Sequence, residues 1–105
     1  MVYNVSVKEK PVRLTSTLPT ERGPQIMATA AKHFARKVAV EEDANAARIA
    51  FPAGTGVMAV VDNGLALTID AASAEDAEQV RDVFEGHLLR FAHRENPQPL
   101  VWAQD

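Results

Sequence analysis

The chain has 105 residues, 47% of them apolar, and a formal net charge of -3. That is enough for one domain with a modest core, and no basic block is present to favour nucleic acid or an anionic membrane. Cysteine is absent, which excludes disulfides, thiolate nucleophiles and thiolate metal sites.

No apolar run approaches the roughly 20 residues needed to cross a bilayer. Met1 to Lys10 lacks the basic-then-apolar order of a secretory leader, so the expected location is the cytoplasm. Residues 1–11 read as a tail or an edge strand, from the alternation of Val2, Tyr3, Val5 and Val7. Residues 12–105 read as a single α+β domain. Its first strand follows from Val12, Leu14 and Ser16 alternating with Arg13, Thr15 and Thr17. A helix is predicted from Pro24 to Lys37, with Pro24 suited to the first turn. Ile26, Met27, Ala30, Ala31 and Phe34 recur at helical spacing and form its apolar face. Lys32, Arg36 and Lys37 complement the negative end of the helix dipole.

A second strand is predicted from Val38 to Glu42, closed by a tight turn at Asp43-Ala44-Asn45. Ala47, Ile49 and Phe51 share one face of the third strand. Residues 52–56 read as a flexible connection to a fourth strand at Val57 to Val61. Asn63-Gly64 signals a type I′ hairpin, and Leu65, Leu67 and Ile69 face one way on the fifth strand. Ser73, with Asp76 three residues on, caps a second helix that buries Ala77, Val80, Phe84, Leu88 and Phe91. Pro97 and Pro99 stop it, and Leu100 to Trp102 add a last edge strand.

Strands joined by short turns pair antiparallel. The expected fold is therefore a curved antiparallel sheet with both helices on one face, in the order β-α-β-β-β-β-α-β. The other face is expected to carry Arg48, Ala50, Met58, Val60, Ala66 and Thr68. Being weakly charged, it is read as a homodimer surface.

Three histidines bear on chemistry. His87 lies within the apolar stripe of the second helix. It reads either as a core-edge side chain or as a ligand or proton carrier between helix and sheet. His33 borders the stripe of the first helix, and the two imidazoles meet if the helices lie side by side. Glu41, Glu42 and Asp43 follow in the chain as further metal donors, but no metal site is expected. His93 falls at the frayed helix end, facing solvent. Arg90 and Arg94 could grip an anion, or be neutralised by Glu85 and Glu95. Gly54-Thr55-Gly56 lacks the lysine and the following helix of a phosphate loop.

Three segments resemble the bacterial family called domain of unknown function 2218: KHFARKVAVEE from Lys32, ARIAFPAGTG from Ala47 and HLLRFAHRE from His87. The resemblance runs from about Thr17 to Trp102. It implies weight on His33, Phe34, Val40, Phe51, Pro52, Gly54, His87, Arg90, Phe91 and Glu95. Many relatives carry cysteine where Gly56 stands and an aromatic where His93 stands, so no shared role is carried onto those two. Some members are encoded near siderophore-utilisation or iron-uptake genes, which implies a link to iron. The strand and helix order also resembles the TATA-binding-protein-like fold, without implying DNA binding.

The expected function is that of a small non-enzymatic binding or accessory protein without a cofactor. Its ligand is left open, a small anion being one candidate, and the candidate ligand-binding residues are His33, His87, Arg90 and Glu95. One alternative is an enzyme with His87 as general acid or base, aided by Glu42 or Glu85. The other is an interaction module acting through the open sheet face. No nucleic acid or membrane partner is expected.

Overall fold

The alternating runs become strands of one sheet in the computed structural model, which describes residues 10–105. In chain order the elements are β1 (Val12–Pro19), α1 (Gly23–Phe34), β2 (Val40–Glu42), β3 (Ala46–Phe51), β4 (Gly54–Val61), β5 (Gly64–Ala71), α2 (Ala74–Phe91), a 3-10 turn (His93–Glu95) and β6 (Ala103–Gln104). The sheet order is β2-β3-β4-β5-β1-β6 and every pair is antiparallel. The tail or edge strand expected at 1–11 lies outside the described residues, save Lys10 and Pro11, which are not in a strand.

Register decides which side chains meet the helices. One row crosses the sheet through Val40, Ile49, Gly56, Ile69 and Leu14. Ile49 and Ile69 on that row are fully buried, so this is the covered face. Both helices pack on it, with Ile26, Met27, Ala30, Ala31 and Phe34 buried from α1 and Ala77, Val80, Phe84 and Leu88 from α2.

The phase of β4 corrects one expectation. Met58 and Val60 face the helices, and Met58 is fully buried opposite Ala47. The open face carries Val57, Ala59 and Val61 instead, beside Arg48, Ala50, Ala66 and Thr68. Residues 57–61 are apolar at both phases, so their alternation carried no direction; cross-strand pairing sets it. On the open face Arg13 grips Asp70 across the strands with two hydrogen bonds, 2.7 and 3.1 Å long.

Glycines explain two more differences. Residues 54–56 are strand, not a flexible connection, because Phe51 pairs with Gly54 across a two-residue turn at Pro52-Ala53. The second hairpin turns on Asp62-Asn63, and only Asn63 has positive φ (65°), so the type I′ form is not adopted. Gly64 opens β5, where a β-carbon would lie 2.5 Å from the Leu18 carbonyl oxygen. It is glycine because β1 passes too close for anything larger.

Helix α1 stops at Phe34, short of the predicted Lys37, and a turn carries Arg36 and Lys37. Its first turn is secured from the far end of the chain. Glu95 accepts hydrogen bonds from the Thr20 hydroxyl and, at 3.0 Å, from the Glu21 N–H. At α2 the cap is as expected, the Ser73 hydroxyl accepting from the Asp76 N–H at 3.2 Å. The Asp43 carboxylate closes its turn by accepting from the N–H groups of Asn45 and Ala46.

The last strand is Ala103–Gln104 rather than Leu100 to Trp102. Leu100 and Trp102 are held by α2, whose Glu85 accepts from the Leu100 N–H at 2.9 Å and from the Trp102 indole N–H at 2.8 Å. Glu85→Ala removes both bonds, each to a charged acceptor. Stability is expected to fall by about 1–3 kcal/mol in urea titration, and emission from the single tryptophan to shift red as its ring is released.

Candidate functional site

The site begins with an aromatic floor. Phe34 from α1, Phe51 from β3 and Phe84 from α2 meet edge to face or tilted, with ring centroids 5.0, 5.7 and 6.4 Å apart. Gly56 makes the room beneath them. A β-carbon there would come within 2.9 Å of the Phe51 ring and 3.1 Å of the Phe84 ring.

Above this floor α1 and α2 lie side by side, and His33 and His87 meet with ring centroids 4.8 Å apart. His33 also contacts Phe91 at 5.6 Å, and His87 contacts Phe34 at 5.1 Å. Both imidazoles are half-buried. The Nδ1–H of His87 donates to the Val83 carbonyl oxygen at 2.7 Å. A carbonyl can only accept, so neutral His87 carries its proton on Nδ1 and presents a lone pair on Nε2.

The pair borders a cleft of about 480 Å³. Its walls are Phe34, Val38, Phe51, Pro52 and Val83, with Arg36 and Lys37 at the rim. No carboxylate is among the residues lining it. The His33 pKa lies below the ordinary 6.5, first because burial strips water from the ring, then through the positive charges of His87, Arg36, Arg90 and Lys37. The arrangement opposes a proton and favours an anion.

Of the four residues expected to share the site, only His33 and His87 line the cleft. Arg90 is exposed on α2, outside the lining, and acts on His33 through its charge. Glu95 belongs elsewhere: its bonds to Thr20 and Glu21 secure the start of α1 and hold its pKa below the usual carboxylate value. Glu95 entered the site through the family resemblance, but a 3-10 turn carries it toward the other end of α1. His93 is exposed, as expected, and its Nδ1–H donates to the Arg90 carbonyl oxygen at 2.9 Å.

The acids suggested as helpers of His87 are not set against it. Glu85 is engaged with Leu100 and Trp102, and Glu42 lines a separate hollow with Glu41, Asp43 and Arg48. Among the described residues no three His, Asp or Glu side chains cluster as metal ligands, and no helix is long and apolar enough to cross a membrane. Arg36, Lys37 and Val83 were missed as site residues. The cations read as dipole partners, and Val83 gave a signal only as an apolar residue off the buried stripe, where it stays 44% exposed.

The family model described as an uncharacterised protein conserved in bacteria, DUF2218, matches residues 15–103. The NMR structure of PA4090 from Pseudomonas aeruginosa is similar to this chain, with a TM-score of 0.65 and 26% identity. The alignment covers 89% of this chain and 94% of that one. No curated protein matches.

The lowered His33 pKa makes stability depend on pH. The unfolded chain takes up a proton at this residue more readily than the folded one, so stability is full above the ordinary value of 6.5. It declines as pH falls through 6.5 toward the folded value, and the decline ends below that. In urea titrations between about pH 5 and 8, His33→Gln is expected to flatten this part of the profile.

Proposed function

The chain belongs to the DUF2218 family, and from that premise we propose that it is a non-enzymatic binding protein for a small organic anion, held in the cleft between α1, α2 and the β3–β4 turn. One observation carries this reading. Every charged or titratable group lining the cleft is a cation or an imidazole, set among apolar walls. Such a lining takes a ligand with an apolar body and an anionic head. The head pairs with protonated His33 beside the His87 ring, with Arg36 and Lys37 adding charge at the rim. Binding an anion raises the His33 pKa, so affinity increases as pH falls through the titration of that ring. The absence of a carboxylate partner at His87 favours binding over acid-base catalysis. Anionic chelates, the class suggested by the iron link of the family resemblance, belong in the same screen.

The strand and helix order supports a TATA-binding-protein-like assignment, which carries no DNA contact with it.

A second reading concerns the open face, which we assign to another copy of this chain. Val61 is 42% exposed there beside Val57, Ala59 and Ala66, a mild apolar surface of the kind stable dimers cover. Val61→Lys is expected to shift wild-type dimers to monomers in sedimentation equilibrium without loss of stability. A monomeric wild type would refute the assignment.

For the cleft, the test is benzoate against its neutral counterpart benzamide, read from the ring C–H resonances of His33 and His87. Benzoate is expected to bind, more tightly at lower pH, and His87→Gln to weaken it about tenfold while the fold is retained. Equal binding of benzamide would remove the anion reading.

A further inference from the structure

We propose that the ligand is an unbranched acyl chain ending in a carboxylate, with its head at the histidine pair and its tail laid along α2 as far as Gln79. This rests on the reading of the cleft as an anion site and names the body that the anion carries.

The cleft does not end at Val83. A second hollow of about 210 Å³ adjoins it and shares Phe51, Pro52 and Val83 as walls. Beyond them its lining is Ala53, Gln79 and Val80, with no charged residue. The geometry of α2 explains the line these residues follow. Gln79, Val83 and His87 are spaced four apart, so they stack in one row along the helix surface. That row runs beside the buried row of Val80, Phe84 and Leu88. The turn at Pro52-Ala53 lies opposite and forms the other wall.

The result is a trough with opposite ends of different chemistry. One end has two imidazoles, Arg36 and Lys37; the other closes on the neutral amide of Gln79. Between them the middle of the row is Val83, a large apolar side chain left 44% exposed on a helix. From His87 to Gln79 the row spans eight residues, about 12 Å, which matches a chain of about eight to ten carbons. A second charge would find no partner at the Gln79 end, which has no charged residue in its lining.

The test is a series of linear carboxylates from butyrate to tetradecanoate, with decanol as the uncharged control, all below micelle-forming concentrations. Binding is followed by the His33 and His87 ring resonances and by calorimetry. Affinity is expected to rise up to about fourfold per added methylene until the chain reaches Gln79, and then to level off. Val83→Gln, at a half-exposed position that leaves the core intact, is expected to weaken decanoate about tenfold and butyrate much less, so that the gain from butyrate to decanoate shrinks. Equal affinities for butyrate and decanoate would overturn the acyl-chain proposal and leave the anion site standing. Decanol binding as well as decanoate, or no binding of any carboxylate, would overturn both.

Discussion

A missing side chain holds the site together. Gly56 lets the rings of Phe51 and Phe84 settle onto β4, and Phe34 closes over them from α1. That contact fixes how near both helices come to the sheet and to one another. At this spacing His33 and His87 sit ring against ring. A methyl group at position 56 would lift the aromatic floor and, with it, the cleft's near wall.

The cleft joins two requirements that usually conflict. Its walls are apolar enough to strip water from an imidazole, yet four neighbouring groups contribute positive charge at His33. Part of the charge comes from residues that also stabilise the end of a helix. Arg36 and Lys37 follow the last turn of α1, where cations suit the dipole, and the same placement puts them at the mouth of the cleft. A helix-end rule and the charge of the cleft's rim are thus met by the same two residues.

Much of the frame was legible in the residues. Both helix stripes, the Ser73 cap and the run of short-turned strands follow from periodicity and local chemistry alone. The meeting of His33 and His87 was legible only as a condition on the helices lying side by side, a tertiary fact that neither helix's own pattern carries. The signals failed where local pattern is silent. Residues 57–61 are apolar on both sides, so only pairing with Ala47 fixes their direction. Glycines at 54 and 56 looked like loop residues because close approach of distant segments leaves no local mark. Glu85 and Glu95 looked like partners for nearby histidine and arginine, whereas they reach segments 15 to 75 positions away in sequence. Acidic side chains on a helix have many possible neighbours, and sequence spacing ranks only those on the same helix.

The bond between Glu95 and the Thr20-Glu21 corner has a mechanical consequence. It ties the exit of α2 to the entrance of α1, so the helix pair is stapled at that end. At the opposite end, where the histidines lie, tilted and edge-on ring contacts join the two helices. Charged hydrogen bonds contribute about 1.5–3 kcal/mol each and ring contacts about 0.5–1.5 kcal/mol. The two helices are therefore held by charge-assisted bonds at one end and by ring packing at the other, so a ligand of the proposed kind would meet the pair where side-chain packing alone sets the gap.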